Sequence, residues 1–586
     1  MASPPVRAAF AAIVLATIVA FFVTQQLKGE FPLVLRFATT PDAISPNGDG
    51  FRDASSIGFD LSRKAKVSFL VIDSEGRDVR KFVNDRDLPG DSKYRYFWNG
   101  RDNQGRRVRD GDYRLQVVAR DEGRVINSIK TIRVDTKPPK VLLVAARPGV
   151  IAPGDPGQRP RVVVRYRGPR NQAPEFRIFR TDEGAPRVVA RFRGDNKRRA
   201  IWRGSIRGHP AADGDYAFTV TVRDKAGNLT VAPTEIPTAR IARPGTGVAV
   251  RHLTLRGPVT TVRSGTVAGL EVGPYPHRFR YSLTRLGSRR AVKKGKRLAG
   301  RFHVGIPSSS RTGVYLVRVM SGSRVATWPL AVEGRSRGAG KRRPLVVLPL
   351  ITWQGVNPVD DDLNGFADTL LSSRSVGLAR AFDNGGPPPR FTSETKPLLR
   401  FLDREKLPYD LTTDVSLARG RTLPHAVVLA GSARWLPTGL SDRLRRQVRA
   451  GGRLASFGGD ALRRSIRLTS SALRDPTTAA HQNALGERTR LARSSPAPLS
   501  VEQDDLGLFG SGEVGQFSIF DLSTGLPRGS RRLDAAGRGP GEPAFVAYRL
   551  GRGTVIRVGS PQWGRQLSDA HVADVTKRIW TELQRG

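Results

Sequence analysis

Cysteine is absent from this 586-residue chain, and acidic residues are scarce beside basic ones. Without cysteine the protein has no disulfide, no thiolate metal site and no cysteine nucleophile. The 52 aspartates and glutamates face 98 lysines and arginines, so the formal net charge is +46. Such a charge favours anionic partners. An arginine-rich composition is, however, also what a GC-rich genome produces.

The length and the turn-forming residues indicate several β-rich domains. One hydrophobic core does not serve 586 residues, and three to five domains are expected. The 62 glycines and 41 prolines favour many turns, as in β-sheet domains. Hydrophobic residues make up 38%, which indicates folded domains.

The N-terminus carries the longest uncharged run, residues 8–27. About 20 helical residues are needed to cross a bilayer, so the run predicts a signal-anchor transmembrane helix within residues 1–30. The alternative is a cleaved signal peptide, but no small-x-small site follows the run. We therefore expect a single-pass protein of the cell membrane with its C-terminal bulk outside the cytoplasm.

Two strongly basic runs, residues 288–297 and 334–343, suggest anionic partners. In an exported chain these partners would be the membrane, lipid head groups or anionic polymers of the cell envelope. Export argues against nucleic acid. The sequence leaves the oligomeric state open.

A repeated pattern identifies two adjacent modules. Trp98 precedes Gly-Asp-Tyr113 in the first, and Trp202 precedes Gly-Asp-Tyr216 in the second. Both tyrosines start runs of alternating apolar residues, which is typical of strands entering the end of a β-sandwich. "VDTKPP" separates the modules. We predict sandwiches over residues 31–137 and 138–243, and a third over 244–334, which ends in "TGVYLVRVMSGSRVATWPLAV".

The first module resembles the immunoglobulin-like domain of the flagellar hook-capping protein. The similarity lies in "SPNGDGFRD", "VSFLVIDSEGRDVR" and "WNGRDNQGRRVRDGDY". It implies an Ig-like fold and says little about function, because this module occurs in unrelated surface proteins.

The pattern changes after a basic linker at 335–343. Apolar strand runs ("RPLVVLPL", "HAVVLAG", "GTVIRVGS") alternate with helical segments ("TKPLLRFLDREKL", "SDRLRRQVRAGG", "DAHVADVTKRIWTELQ"). Alternating strands and helices predict an α/β domain with a parallel sheet at 344–586. The whole chain is thus expected to comprise a transmembrane helix, three Ig-like sandwiches in tandem and this α/β domain.

This last domain is similar to the C-terminal domain of the N,N-dimethylformamidase large subunit, which is related to class I glutamine amidotransferases. "PLVVLPLITWQGVNPVDDD", "YDLTTDVSL" and "AVVLAGSARWLPTGLSDRLRRQVRAGGRLASFGGDAL" carry the resemblance. The resemblance implies amide hydrolysis at iron held by tyrosine and carboxylate. Between Val332 and Tyr548 the only tyrosine is Tyr409, which argues against such an iron site in this domain.

Two loops share the spacing of a calcium-binding loop, in which alternate oxygen ligands converge and glycine makes the turn. Neither has the carboxylate usual at position 12. Each therefore predicts a weak structural calcium site or, alternatively, a solvated acidic turn. The candidate ligands are Asp360, Asp362, Asn364, Phe366 and Asp368 in one loop, and Ser45, Asn47, Asp49 and Asp53 in the other. Asp361 falls between ligand positions and is expected to point outward.

A parallel sheet places ligands at the carboxyl ends of its strands. The pocket residues predicted there are Thr352, Trp353, Gln354, Ser432, Arg434, Trp435 and Asp460. Family members commonly have His and Glu-Tyr-Trp where this chain reads "GSARW", and only Trp435 is retained. Two functions remain open: an envelope binding or scaffolding protein with a degenerate amidohydrolase-like domain, or an active amide hydrolase.

Overall fold

The computed structural model describes residues 4–27, 32–169, 174–275, 278–298, 300–334, 342–510 and 512–585. It starts with helix α1 (Pro4–Leu27). Of the predicted linker 335–343, residues 335–341 lie outside the described residues.

The first sandwich pairs a sheet of order β1-β3-β6 with one of order β2-β8-β7-β4-β5. Alternating side chains of both sheets, such as Phe59, Phe69 and Trp98, form one buried cluster. A short 3₁₀ helix, Arg120–Glu122, precedes the last strand. The strands are β1 (Val34–Thr40), β2 (Ala43–Ile44), β3 (Ser55–Leu61), β4 (Ala65–Ile72), β5 (Asp78–Leu88), β6 (Ser92–Trp98), β7 (Gly111–Ala119) and β8 (Arg124–Val134).

The second sandwich has a cluster of its own, which includes Phe176, Trp202 and Tyr216. Its sheets run β14-β11-β9 and β10-β19-β17-β12-β13, with β18 on β17 and a separate β15-β16 hairpin. The strands are β9 (Leu142–Arg147), β10 (Val150–Ile151), β11 (Val162–Arg167), β12 (Glu175–Arg180), β13 (Arg187–Arg193), β14 (Arg199–Trp202), β15 (Ser205–Ile206), β16 (His209–Pro210), β17 (Gly214–Arg223), β18 (Leu229–Ala232) and β19 (Val248–Val250).

The third sandwich repeats the strand order of the first, with sheets β20-β22-β25 and β21-β27-β26-β23-β24. Its strands are β20 (Thr254–Arg256), β21 (Val262–Arg263), β22 (Val267–Gly273), β23 (Arg278–Arg285), β24 (Lys293–Leu298), β25 (Gly300–Gly305), β26 (Gly313–Ser321) and β27 (Arg324–Glu333).

Each sandwich has a tyrosine whose hydroxyl bonds to the backbone just before the strand that contains it. The hydroxyls of Tyr113, Tyr216 and Tyr315 donate to the carbonyl oxygen four residues earlier, at 2.7, 2.9 and 3.1 Å. Such a tyrosine corner is a feature of Ig-like sandwiches. In the first two modules the tyrosine ring packs on Trp98 or Trp202, with ring centroids 5.1 and 5.4 Å apart. The repeated Trp and Tyr in the sequence therefore serve this corner.

The C-terminal domain is built on a nine-stranded sheet of order β30-β28-β31-β33-β41-β40-β39-β37-β38. The first five strands of this order are parallel and the last four are antiparallel to their neighbours. Two small sheets, β29-β36-β35 and β32-β34, lie beside it. The strands are β28 (Leu345–Leu348), β29 (Ser375–Gly377), β30 (Asp410–Thr413), β31 (Ala426–Leu429), β32 (Trp435–Leu436), β33 (Arg453–Ser456), β34 (Arg464–Ser465), β35 (Arg467–Leu468), β36 (Ala472–Arg474), β37 (Arg488–Asp504), β38 (Glu513–Gly525), β39 (Leu533–Arg538), β40 (Pro543–Leu550) and β41 (Gly553–Arg557).

Helices connect the parallel strands, where apolar residues recur with helical spacing. Asp569 caps the last helix by accepting the Val572 N–H at 3.0 Å. The helices are α2 (Leu350–Gly355), α3 (Lys396–Arg404), α4 (Asp414–Ala418), α5 (Thr438–Arg449) and α6 (Ala570–Gln584), with a π-helical turn at Phe391–Thr395 and 3₁₀ turns at Asp383–Gly385 and Trp563–Gln566.

The predicted fold class is wrong in its last part, because the chain is mostly β, with 44% strand and 15% helix. The predicted α/β domain with a parallel sheet is replaced by a mixed sheet, in which strands β37 to β40 form an antiparallel half. Strand β37 was missed because its exposed, arginine- and serine-rich sequence lacks clean alternation and is interrupted by bulges.

The predicted membrane anchor is also corrected. Among the described residues, no helix combines the length and the apolarity required to cross a membrane. The apolar part of α1, residues 8–23, is shorter than the roughly 20 residues a span needs. The signal-anchor helix and the single-pass cell-membrane location are therefore withdrawn.

The third sandwich and the C-terminal sheet share one hydrophobic cluster. Trp328 is fully buried, and its ring lies 4.9 Å from that of Phe382. Arg285 of the sandwich pairs with Asp403 of α3 at 2.7 Å. The two regions therefore form one packed unit that holds the sheet edge described next.

Candidate functional site at the carboxyl ends of the parallel strands

Two glycine turns lie against each other where β31 and β33 end. Gly431 has φ +116°, and a Cβ there would lie 3.0 Å from the Thr395 hydroxyl. A Cβ on Gly458 would lie 2.3 Å from the Ser432 nitrogen. Both positions require glycine, because the neighbouring backbone and side chains leave no room. The turn places Ser432 directly at the edge of the sheet.

Ser432 is buried, with 2% of its surface exposed. Its backbone N–H donates to the Glu394 carboxylate at 2.8 Å, and that carboxylate also pairs with Arg390 at 3.1 Å. Within the described chain, no group hydrogen-bonds the Ser432 hydroxyl. His425 lies at the opposite end of β31, beside Arg453. Among the described residues, Ser432 therefore has no hydrogen-bonded histidine that would activate it as a nucleophile.

Arg434 and Asp460 belong to a compact charged cluster. Three arginines surround the buried Asp460 carboxylate: Arg464 at 2.5 Å, Arg463 at 3.3 Å and Arg434 at 3.7 Å. The Asp460 N–H donates to Asp521 at 2.8 Å. Burial lowers the pKa of Arg434, as does the neighbouring positive charge of Arg390. Asp460 therefore serves as the counter-ion of these arginines. A general base needs a carboxylate that is free to accept a proton from the substrate.

The remaining predicted pocket residues divide into two groups. Thr352 accepts the Arg434 N–H at 2.9 Å and belongs to the edge. Trp353 and Gln354 do not belong to the edge. Trp353 packs edge-on against Phe391, and the Gln354 side chain donates to the Arg380 carbonyl at 3.0 Å.

Trp435 connects the edge to a cavity. Its ring is fully buried under the Arg464 guanidinium, 5.3 Å from the ring centroid. Its indole N–H is buried without a hydrogen-bond partner among the described residues. It lines a cavity of about 550 Å³ together with Arg374, Arg464 and the hydroxyls of residues 372, 373, 477 and 478.

A second cavity, of about 670 Å³, is lined in part by residues 465–468 of β34 and β35. Arg419 and Arg467 line it, together with Thr438, and Asp475 lines both cavities. The sequence predicts a loop at about 469–498, but it did not indicate that residues 370–374 and 475–479 build the walls of a cavity. Their only signal was a composition rich in serine, threonine and arginine.

The candidate calcium loop of the C-terminal domain follows helix α2, and the Ser373 hydroxyl from the wall of the first cavity donates to its Asp368 at 2.6 Å. Carboxylate oxygens of Asp360, Asp362 and Asp368 all lie within 4.8 Å of one another. Asp360 accepts the N–H groups of Asn364 at 3.2 Å and Gly365 at 2.7 Å. These three aspartates form the only acidic group of metal-binding geometry among the described residues.

Two other side chains of this loop are engaged within the protein. The Asn364 side chain accepts the N–H of Phe366 at 2.8 Å. Asp361 was expected to point outward, but it accepts the Gly377 N–H at 2.7 Å and lies 3.3 Å from Arg380. It is paired instead.

The second candidate loop, at residues 45–53, is organised differently. Ser45 is buried and donates to Asn228 of the second sandwich at 2.6 Å. Asn47 and Asp49 accept N–H groups two residues onward, and Asp53 accepts those of residues 48 and 50 at 2.8 Å. The side chains close the turn and bring only two carboxylates to it. Calcium at Ser45, Asn47, Asp49 and Asp53 stays a prediction.

The tyrosines do not fit the iron site that the family resemblance implies. Tyr409 lies at the amino end of β30 and donates to Asp403 at 3.1 Å, while Asp403 also pairs with Arg285. Tyr548 is buried beside Glu487, whose carboxylate pairs with Arg557 at 2.6 Å. An arginine already neutralises the carboxylate in each case, so these residues do not fit an iron site.

Several solved structures have a weak likeness to this chain. A β-galactosidase from Bacillus circulans is 11% identical with a TM-score of 0.25, over 40% of this chain and 31% of that one. The ligand-binding domain of human OSCAR is 17% identical with a TM-score of 0.21, over 36% of this chain and 100% of that one. Three N-terminal domains of the bacteriophage RB49 outer capsid protein Hoc are 9% identical with a TM-score of 0.21, over 52% of this chain and 99% of that one. This chain spans less than a third of the β-galactosidase.

Comparison with curated proteins found no match. The resemblance of the first sandwich to the hook-capping domain stays a prediction. Residues 298–516, which include the last part of the third sandwich and most of the C-terminal domain, match the family model of the N,N-dimethylformamidase beta subunit-like C-terminal region.

Proposed function

We propose that the protein is a binding or scaffolding protein whose dimethylformamidase-like region has lost amide hydrolysis. The observation that carries this proposal is the state of Ser432 and Asp460 at the sheet edge. In the described part of the chain, no histidine bonds the Ser432 hydroxyl, and three arginines neutralise Asp460. Nucleophilic catalysis needs a nucleophile beside a base, and this edge supplies no such pair.

The ligand that fits the two cavities is an anionic polymer. Arginines 374 and 464 line one cavity and arginines 419 and 467 the other, whereas Asp475 is the single carboxylate in both linings. Hydroxyl groups of serine and threonine complete the walls, and they donate to anionic oxygens. The net charge of +46 adds long-range attraction for such a polymer.

An active amide hydrolase is the second candidate. The family match favours it, as do the unpaired Ser432 hydroxyl and Trp435 indole N–H at the sheet edge. Turnover of N,N-dimethylformamide by the purified protein, lost in Ser432→Ala, would support the hydrolase and overturn the binding proposal. We expect no turnover.

Charge-matched variants test the binding site itself. Arg374→Gln with Arg419→Gln removes one exposed guanidinium from each cavity. Arg203→Gln with Arg400→Gln removes the same charge from exposed positions elsewhere. With long-chain polyphosphate as the probe, we expect the first pair to weaken binding about fivefold more than the second, since exposed ion pairs contribute roughly 0.2–1 kcal/mol each. Equal losses would show that the attraction is diffuse, and would refute the cavities as the site.

A further inference from the structure

The third sandwich contains a long stretch without acidic residues. Between Glu271 and Glu333 the sequence has no aspartate or glutamate but 13 lysines and arginines, whereas the whole chain has 52 acidic residues among 586. This stretch contains strands β23 to β26 and nearly all of β27. The cations of these strands therefore have no counter-ion within their own part of the sequence.

The strand register places five of these cations on one face of the sheet. Strand β23 lies between β24 and β26. Its Arg280 pairs with Lys296 and Met320, and the residue two positions onward pairs with Lys294 and Arg318. Directly paired residues point to the same face, as do alternate residues along one strand. The face that they share, here called the basic face, carries Arg278, Arg280, Lys294, Lys296 and Arg318.

The basic face is the outer face of the sandwich. Phe279, Tyr281 and Leu283 alternate with its residues along β23, and all three are buried in the core. The five cations are exposed. Their charged groups are therefore accessible to a partner.

The protein does not neutralise these five cations. Two other arginines of the same stretch are paired, Arg285 with Asp403 and Arg324 with Asp155. In the described part of the chain, no carboxylate forms an ion pair with any cation of the basic face. Like charges directly opposite each other on neighbouring strands destabilise a sheet, as the Arg280 pair does here. An anion bound to this face would relieve that repulsion.

Protection of the sheet edge does not account for the basic face. Charged residues on an edge strand prevent its pairing with another chain, and Lys293 and Arg297 of β24 serve that purpose. Arg280 of β23 and Arg318 of β26 lie on strands that have a neighbour on each side. These inner strands have no free edge that a charge could protect.

Two exposed apolar side chains lie among the cations. Leu298 pairs with Arg278 and is 66% exposed, and Met320 beside Arg280 is 36% exposed. Cations attract the head groups of an anionic bilayer, and apolar side chains enter the boundary between head groups and acyl chains. A soluble polyanion would leave the two apolar side chains in water. The combination therefore favours a lipid surface.

We propose that the basic face binds the surface of a membrane that contains anionic lipids. The lysines and arginines contact lipid phosphates, and Leu298 and Met320 enter the layer of head groups. The contact is peripheral and requires no membrane-spanning helix. It lies on the third sandwich, so it does not depend on the function proposed for the cavities of the C-terminal domain.

Binding is tested with the full-length chain and vesicles of phosphatidylglycerol and phosphatidylcholine, with pure phosphatidylcholine vesicles as the neutral reference. We expect the wild type to bind the anionic vesicles more tightly. Each basic residue near an anionic surface contributes roughly a fivefold gain, so Lys294→Gln with Lys296→Gln should weaken this preference about 25-fold.

A charge-matched control separates the face from the net charge. Lys64→Gln with Lys66→Gln removes two exposed lysines from the first sandwich. This pair should change the preference about twofold or less, because attraction to the surface decreases within a Debye length. No preference of the wild type for anionic vesicles, or equal losses in the two double variants, would overturn the proposal.

Leu298 distinguishes a lipid surface from a soluble polyanion. Leu298→Ser should weaken binding to anionic vesicles about fivefold and leave the binding of long-chain polyphosphate unchanged. Ile129→Ser replaces a 98% exposed apolar residue of the first sandwich and should alter neither. If Leu298→Ser binds anionic vesicles as tightly as the wild type, the lipid assignment is wrong and a soluble polyanion is the occupant.

Discussion

Two loops of this protein share one spacing and use it for different purposes. In residues 45–53 and 360–368 the same pattern of polar side chains and glycine closes a turn around backbone N–H groups. The first loop holds two carboxylates and the second holds a cluster of three. Spacing thus specifies the turn, while the two loops differ in how many carboxylates they bring together.

Both loops contact the second sandwich, but through different chemistry. The first uses a side-chain hydrogen bond from Ser45 to Asn228 and the packing of Phe51 under Arg223, 4.1 Å from the ring centroid. The second uses backbone hydrogen bonds from Gly245 and Gly247. The first contact is therefore complete without a ligand, whereas the second gathers charge at the boundary.

Substituting the glycine at the same position of each loop should give the largest difference in the free energy of unfolding. Gly50 has φ +80° and open space around its missing Cβ, whereas Gly365 has φ +89° and backbone atoms at 2.7 Å. Gly50→Ala should cost only the left-handed strain, about 1–2 kcal/mol, while Gly365→Ala should add a clash for a total of about 3 kcal/mol or more. Urea unfolding measures both. Equal losses would show that the close approach at Gly365 is relieved by small shifts.

The second largest expected difference is in how the two loops respond to calcium. A ligand at 100 times its Kd stabilises the folded state by about 2.7 kcal/mol, so the melting temperature should rise with calcium relative to chelator. Asp362→Asn should remove most of this rise, and Asp49→Asn should leave it unchanged. A rise that is lost in Asp49→Asn instead would place the ion in the first loop.

Ser45→Ala should have a smaller effect, confined to the first loop. It leaves the buried Asn228 oxygen without this donor, which should cost about 1–2 kcal/mol in the free energy of unfolding. The response of the melting temperature to calcium should stay as in the wild type. A changed response would mean that the two loops are coupled through the second sandwich.

Arg223→Gln should have the smallest effect. It removes the cation over the Phe51 ring, a half-exposed contact worth about 0.5–1 kcal/mol. Phe51→Leu, alone and combined with Arg223→Gln in a double-mutant cycle, measures that contact directly. A coupling energy near zero would mean that the Phe51–Arg223 contact does not stabilise the packing of this loop on the second sandwich.

The sequence predicted local elements well because their signals are local. The apolar runs at 345–348, 426–429 and 553–557 are strands, and the helical spacing at 396–404 is a helix. Residues 113–118 and 216–222 alternate because they lie in β7 and β17. The parallel-sheet prediction failed because β37 to β40 pair as antiparallel strands after a polar segment without clear periodicity.

For the site, the sequence could predict only which residues follow the ends of the strands. Strand ends identified Ser432, Arg434 and Asp460, but not that three arginines neutralise Asp460. The pairing of Asp361 with Arg380 and the unpaired oxygen of Asp215 depend on contacts between distant segments. No spacing along the chain encodes such contacts.

The shared core of the third sandwich and the C-terminal sheet has a consequence for how this gene can be rearranged. A recombination breakpoint at residue 334 would separate Trp328 from Phe382 and leave an apolar surface on both products. A breakpoint at residues 135–141 cuts between two separate clusters and through a turn. We therefore expect the third sandwich to be inherited together with the C-terminal domain, and the first sandwich to be gained or lost by itself.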